Sequence, residues 1–370
     1  MNKNRFRIIF NIARGMMMVV AEFVKSHMAG AESTNNSQTE IPLTKNQNDI
    51  SVTLRPLAFS LMCALGLVTV LPNPFNVGPA HAEVRAATNV PGNQRSIILR
   101  APNGVEVVNI PTPSAAGVSR SVYEIFDVLR QGLIINNSRN NVQTELGGWI
   151  QGNPWLATGS ARIILIEVNS SNPSYLNGYT EIAGSRAEFI IANPNGISCN
   201  GCGFINASRA VLTTGTPILS GGDLTGYRVT GGSVNIWGNG LDASRSNYTD
   251  IIARAVEVNA GIWANDLKIT TGANQVNADN TQASTIAASG AAPASGFALD
   301  VAALGGMYAG KITLIGTEAG LGVRNAGVIN AATGNLTLTA DGQLQNTGSI
   351  IGHGDVAIAA SATISNSGTL

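Results

Sequence analysis

The stretch EFIIANPNGISCNGCGFI, residues 188–205, decides the fold. Glu188 to Ala192 holds a Phe and two Ile, the composition of a buried strand. Asn193-Pro194-Asn195-Gly196 then fills the four positions of a type I turn with the residues each prefers, and the chain must bend there. Ile197 resumes an apolar position. Cys199-Asn200-Gly201-Cys202 places a second Asn-Gly turn inside a C-x-x-C loop, after which Phe204 and Ile205 begin another strand. The order is strand, turn, short cysteine-bounded loop, strand, with no helical period.

Asn193-Pro194-Asn195-Gly196-Ile197 followed by Cys199 and Cys202 resembles the secretion domain of the two-partner-secretion exoproteins of Gram-negative bacteria: filamentous-haemagglutinin-like adhesins, haemolysins and contact-dependent growth-inhibition toxins. A second motif of that family, Asn-Pro-Asn-Leu, has its counterpart in Asn153-Pro154-Trp155-Leu156, where Trp155 keeps the proline turn but removes an amide able to bond to the backbone. Tyr123-x-x-Phe126-Asp127-Val128 resembles a third, written in the family with Asn where Asp127 stands; Tyr123 and Phe126 read as core packing. The resemblance runs from about Val105 to the end. It implies an all-β chain, a right-handed parallel β-helix with an N-terminal cap and small extra-helical strands. Residues 104–138 are expected to form that cap, because an open sheet end would pair with other chains. It also implies that residues 1–82 are an extended signal peptide, 83–320 the secretion domain, and 321–370 the start of a repeat shaft.

The C-terminal residues carry the repeat on their own evidence. Asn325-x-Gly327-x-Ile329, Asn346-x-Gly348-x-Ile350 and Asn366-x-Gly368-x-Leu370 recur at spacings of 21 and 20, and the strand after Gly334 is echoed after Gly354. A period near 20 with alternating strands denotes solenoid coils, each burying its apolar face only on its neighbours. Asn325, Asn346 and Asn366 would then stack about 4.8 Å apart as a hydrogen-bonded ladder. The composition does not change before Leu370 in the way a closing cap would require, so the chain reads as the first part of a longer exoprotein or as a shortened product.

Upstream, Arg162 to Val168 contains four contiguous apolar residues, Ile163 to Ile166, the mark of a strand buried on both sides. Val105 to Ile110 and Leu133 to Ile135 read as strands, with turns at Pro102-Asn103-Gly104 and Asn136-Asn137. The loops at 170–174 and 176–179 mark an insertion expected to form a side sheet.

Two leader segments precede this. Lys3, Arg5, Arg7 and Arg14 come before a short apolar run, Met16 to Ala21. Arg55 comes before Leu57 to Leu71, too short for the ~20 residues of a spanning helix. Ala80-His81-Ala82 is a small-x-small cleavage site, which sets a mature start at Glu83; the resemblance implies passage through the periplasm by the general export machinery.

Charged residues make up only 12% of the chain and aromatics 5%, while glycines number 42. Removing the seven basic and four acidic residues of the leader from totals of 22 and 22 leaves 15 and 18, a net charge of −3 that calls for no nucleic acid. Cys63 falls in the leader, so Cys199 and Cys202 remain as an even pair, by default a disulfide in an exported chain. A zinc site would need two further ligands, and a redox-active thiolate favours a helix N-terminus rather than a glycine-rich loop. The leader aside, His353 is the single histidine, so no Ser-His-Asp or Cys-His arrangement has a base, and the scattered carboxylates form no metal pattern. These features argue against an enzyme, a cofactor or a metal. By resemblance, the domain is recognised by the periplasmic domains of an outer-membrane β-barrel transporter and begins a surface adhesin, haemolysin or toxin-delivery filament that meets a host or bacterial cell surface. The alternative is an adhesin binding glycans through this domain itself. N-terminal sequencing of exported protein should return Glu83 as the first residue; a start within residues 30 to 75 contradicts the leader assignment.

Overall fold

The structure, a computed structural model, describes Phe6–Asn11, Met16–Ala21 and residues 84–370. The proposed cleavage site, Cys63, Glu83 and the apolar run 57–71 lie outside the described residues. Phe6–Asn11 and Met16–Ala21 pair antiparallel, Phe6 opposite Ala21 and Asn11 opposite Met16. The described residues 84–370 belong to a separate compact unit.

That unit is a parallel β-helix. Its strands are stacked coil on coil along three faces, each hydrogen-bonding to the strand one coil before and one coil after. Face I runs from Val118–Phe126 through Ile163–Val168, Ala187–Ala192 and Ala207–Thr213 to Leu336–Ala340 and Val356–Ala360. Face II includes Leu133–Asn137, Tyr179–Gly184, Cys202–Ile205, Val328–Ala331 and Ser349–Gly352. Face III includes Ser174–Leu176, Ile197–Cys199, Ser233–Ile236, Ala255–Val258, Phe297–Val301, Gly322–Asn325, Leu344–Asn346 and Ile364–Asn366. The longer strands Leu241–Ala253, Gly261–Thr271 and Gly306–Gly316 serve faces II and I in succession.

The core follows from that register. Ile166, Ile191, Leu212, Ile251, Ile269, Leu314 and Leu338 occupy one column down face I, each opposite the next and each buried. Burying one such side chain stabilises the fold by about 1.5–3 kcal/mol. Side chains between them point outward, where a parallel strand needs cover. The cover is a four-stranded antiparallel sheet made of Thr216–Ser220, Asp223–Val229, Asn274–Asn277 and Ala283–Thr285. Its Leu224, Tyr227, Val229 and Val276 bury against Ile163, Leu165, Ile190 and Val211. This accounts for the unbroken apolar run at 163–166.

Three expectations need correction. The side sheet comes from 216–229 and 274–285, not from 170–179, which supplies Ser174–Leu176 and Tyr179–Gly184 to the helix itself. Asn136 and Asn137 are not a turn: they end the strand Leu133–Asn137 and are buried, because their amides serve as internal hydrogen-bonding groups. Asn137 donates to the carbonyls of Ala161 and Ser185 and accepts from the Ala161 amide. The antiparallel strands at the N-terminal end are Val84–Ala86 and Ile97–Arg100, so capping falls to residues before 110, while Val118–Phe126 and Leu133–Asn137 already stack in parallel.

Face III shows how the C-terminal repeat joins the rest. One column reads Leu176, Cys199, Ile236, Val258, Val301, Asn325, Asn346 and Asn366. Asn325 donates to the Asn346 side-chain oxygen at 2.8 Å and Asn346 to that of Asn366 at 2.7 Å. The Asn325 oxygen is buried without a partner, since the preceding coil offers Val301. Asn346→Val removes a donor and an acceptor in the middle of this ladder and should cost about 1–3 kcal/mol. Asn366→Val, at an exposed position, should cost less. Urea titrations giving equal losses contradict this ranking.

Candidate functional site: two Asn-Pro turns and the corner beside them

At 193–196 the Gly196 amide donates to the Asn193 carbonyl at 3.1 Å, closing the turn. Asn195 keeps a negative φ, which excludes type II. Gly196 sits at φ +111°, and a Cβ there would stand 3.1 Å from the Ser233 carbonyl oxygen, so both conformation and space require glycine. Asn193 is fully buried. Its side-chain oxygen accepts the Asn195 amide at 3.0 Å, and its Nδ2 donates to the Asn172 carbonyl at 2.9 Å and Ser174 Oγ at 3.0 Å. The Asn193 amide donates to the Thr213 carbonyl at 2.9 Å, one coil on. One side chain thus shapes the turn and ties it to its neighbouring loop.

The second turn repeats the design. Asn153 is buried and caps a 3-10 turn, Pro154–Leu156, its side-chain oxygen accepting the Trp155 amide at 3.0 Å. Its Nδ2 donates to the carbonyls of Ile110 at 2.9 Å and Asn136 at 3.1 Å. Leu156 is buried and Trp155 is exposed. The equivalent Asn195 donates from its side chain to the Ser170 carbonyl, a bond that Trp155 has no amide to make. Pro154 lies on the rim of two clefts, one of about 380 Å³ beside Thr112 and Trp155, the other of about 670 Å³ lined by Ile97, Leu99 and Trp149.

Ile197 begins the face III strand one residue past the first turn, and Cys199 ends it. Cys199 and Cys202 are disulfide-bonded and buried, and they close the corner between faces III and II. The corner stacks on its neighbour: the Gly201 amide donates to the Gly240 carbonyl, the Trp237 amide to the Cys199 carbonyl, and the Asn239 amide to Asn200 Oδ1. The structure therefore places Asn193, Pro194, Asn195, Gly196, Ile197 and the disulfide on one coil. Asn153 to Leu156 are held by a separate set of partners, and the ladder at 325–366 shares the Cys199 column at the far end. Sequence reading did not single out Asn136, whose side chain links Asn109 and Gln151 and whose carbonyl receives Asn153; an Asn-Asn pair is read first as a turn.

The aromatic pair of the third motif is core. Tyr123 and Phe126 meet edge to face, centroids 5.1 Å apart, and both are buried. Burial pushes the Tyr123 hydroxyl up to about 12 despite its bonds to Ser96 and Ser121. Outside face I, Arg209 pairs with Asp250 and Glu188 in a cleft of about 640 Å³. Burial raises the Asp250 carboxyl even against the facing guanidinium. Among the described residues no group of three or more His, Cys, Asp or Glu side chains could hold a metal.

Closing so short a loop restricts the unfolded chain by only about 2 kcal/mol in the chain-entropy model. Replacing both cysteines, Cys199→Ser with Cys202→Ser, should therefore lower stability modestly and leave the β-sheet circular dichroism intact; its disappearance contradicts a local role.

Comparison with known proteins agrees with this geometry. Residues 82–346 match the TPS secretion domain family, and residues 1–42 match the Extended Signal Peptide of Type V secretion system. Toxin CdiA of Yersinia pestis is 50% identical over 371 residues, covering 100% of this chain and 11% of that protein. The tRNA nuclease CdiA-2 of Burkholderia pseudomallei is 42% identical, covering 93% of this chain and 10% of that protein. The chain thus spans about a tenth of the length of these relatives. The crystal structure of the filamentous hemagglutinin secretion domain aligns with a TM-score of 0.66 at 32% identity, covering 76% of this chain and 99% of that one. The matched region is a secretion module and not an enzyme, and the leader directs export through the periplasm to the medium or the cell surface. This chain belongs to the TPS secretion domain family of the CdiA-like and filamentous-haemagglutinin-like exoproteins.

Proposed function

We propose that residues 83–320 are recognised by the periplasmic domains of a cognate outer-membrane β-barrel transporter, and that 321–370 begin the shaft of a surface filament serving adhesion, haemolysis or toxin delivery. The observation that carries the reading is the division of labour within the Asn-Pro turns. Asn193 and Asn153 are buried and bonded on all sides, so they build the turns, whereas Pro154 and Trp155 stand exposed where a partner can reach them. The same end offers further apolar surface. Ile97, Leu99 and Trp149 are exposed, and among the described residues Ile97–Arg100 pairs only with Glu106–Asn109. A strand edge that no described residue pairs, beside an apolar cleft, suits an added strand, with main-chain bonds giving affinity and alternate side chains giving selectivity.

The two roles separate in one experiment. Asn193→Ile leaves the Asn172 carbonyl, Ser174 and the Asn195 amide without their partner, so it should lower stability by about 1–3 kcal/mol in a urea titration and reduce secretion through that loss. Trp155→Ala removes an exposed ring, so it should leave the unfolding midpoint within about 0.5 kcal/mol of wild type while reducing binding to the transporter's periplasmic domains. An unchanged midpoint with lost secretion for Asn193→Ile would move Asn193 to the transporter interface. Normal secretion of Trp155→Ala would remove that residue from it.

A further inference from the structure

The chain contains four tryptophans, and all are exposed: Trp149 at 65%, Trp155 at 40%, Trp237 at 46% and Trp263 at 43%. Indoles are on average highly buried, yet this core is filled by Ile, Leu, Val and Phe. Trp149 and Trp155 belong to the N-terminal end discussed above. Trp263 lies elsewhere, on the outside of face II.

There the outward column reads Asp242, Trp263 and Tyr308 in successive coils. The two rings are nearly parallel, with 16° between planes and centroids 6.3 Å apart. That separation exceeds the coil spacing of about 4.8 Å, so the rings are slipped and each keeps surface open. Each ring lies over a glycine two residues before it. A Cβ at Gly261 would stand 2.5 Å from the Trp263 ring, and one at Gly306 would stand 2.7 Å from the Tyr308 ring. The spacing Gly261-x-Trp263 and Gly306-x-Tyr308 therefore seats two aromatic rings against the strands. At the head of the row Asp242 accepts the hydroxyls of Ser244 at 2.6 Å and Tyr179 at 2.7 Å. Burial pushes its carboxyl up, but these bonds outweigh burial and leave it below the usual range. Face I covers its apolar exterior with the antiparallel sheet, whereas Trp263 and Tyr308 stay in solvent.

We propose that the row Asp242, Trp263, Tyr308 is a binding site for a neutral oligosaccharide, whose C–H-rich ring faces lie on the two aromatics and whose hydroxyls donate to Asp242. Size and charge select this occupant. Two rings on adjacent coils make a platform roughly 10 Å long at the sheet's spacing. A stable protein partner needs about 800 Å² on each side. The row itself carries no cation, and the cations nearest in sequence, Arg245 and Lys311, are paired with Glu145 and Asp266, so an anionic ligand has no anchor. The inference goes beyond the secretion reading and is independent of it, since the row lies apart from both Asn-Pro turns.

The test uses the full chain, exported through its own leader and purified, on a glycan array carrying neutral hexose and N-acetylhexosamine oligosaccharides beside sialylated and sulfated ones. Binding to neutral members is expected, little changed between low and high salt. Titration of the strongest neutral binder should show at least a tenfold weaker Kd for Trp263→Ala and for Tyr308→Ala, and an unchanged Kd for Trp149→Ala. Both face II variants alter exposed rings and should keep wild-type circular dichroism and secretion. Absence of neutral binders, binding confined to sulfated or sialylated members, or an unaltered Kd in Trp263→Ala overturns the proposal. So does lost secretion in Trp263→Ala with the fold intact, which would assign the row to the transporter, whereas failure of the secretion reading shows instead in the Asn193 and Trp155 variants.

Discussion

Every coil depends on backbone hydrogen bonds to the coil before and the coil after. Within one coil the three faces point away from one another and exchange no ladder bonds, so a single coil satisfies neither its amides nor its apolar side chains. Stacking settles both at once, and it does so only in one register, because a slip of a single residue turns an inward column outward. The unbroken column from Leu176 to Asn366 and the Ile/Leu column on face I record that constraint over the whole helix.

Where the chain leaves a strand, asparagine solves a recurring problem. A corner exposes carbonyls and amides that have no ladder partner, and a buried amide side chain supplies a donor and an acceptor at once. Asn193 and Asn153 do this for the Pro turns, Asn137 for the 161 and 185 backbone, and Asn325 and Asn346 for each other. The first three of these asparagines bond mainly to backbone across a loop and the last two stack, so one residue type serves as tie or as ladder according to what the next coil places opposite it.

Legibility in the sequence followed the range of the interaction. The turn at 193–196 was readable because Pro fixes φ locally and Gly admits the positive φ that follows. The repeat at 325–366 was readable because its copies are nearly the same length. Ile163 to Ile166 disclosed a strand covered on both sides, but not the identity of the cover, because Tyr227 and Val276 lie far along the chain and pair through an antiparallel sheet with no repeat of its own. Asn136 and Asn137 were misread for the same reason: an Asn pair looks like a turn until the carbonyls that receive it, 24 and 48 residues away for Asn137, are placed beside it. Trp155 was legible as part of its Pro turn, but Trp263 carried no signal, since composition counts residues without saying on which side of a strand they stand.

The antiparallel sheet over face I has a consequence for timing. Its middle pairing joins Gly226–Val229 to Asn274–Asn277, and two full coils are laid down between them. In a chain that folds from its N-terminal end, Leu224, Tyr227 and Val229 can lie over Ile163, Leu165, Ile190 and Val211 early, but their strand lacks its second partner, and the cover lacks Val276, until residue 277 has arrived. The clasp then shuts in a single long-range event whose loop-closure cost has by that time been lowered by the coils already in place. Before that moment the early coils can still come apart; afterwards, separating the strands Ile163–Val168, Ala187–Ala192 and Ala207–Thr213 must first uncover them from that sheet. The fold thus contains a delay followed by a ratchet, both set by the number of residues inserted between two short strands.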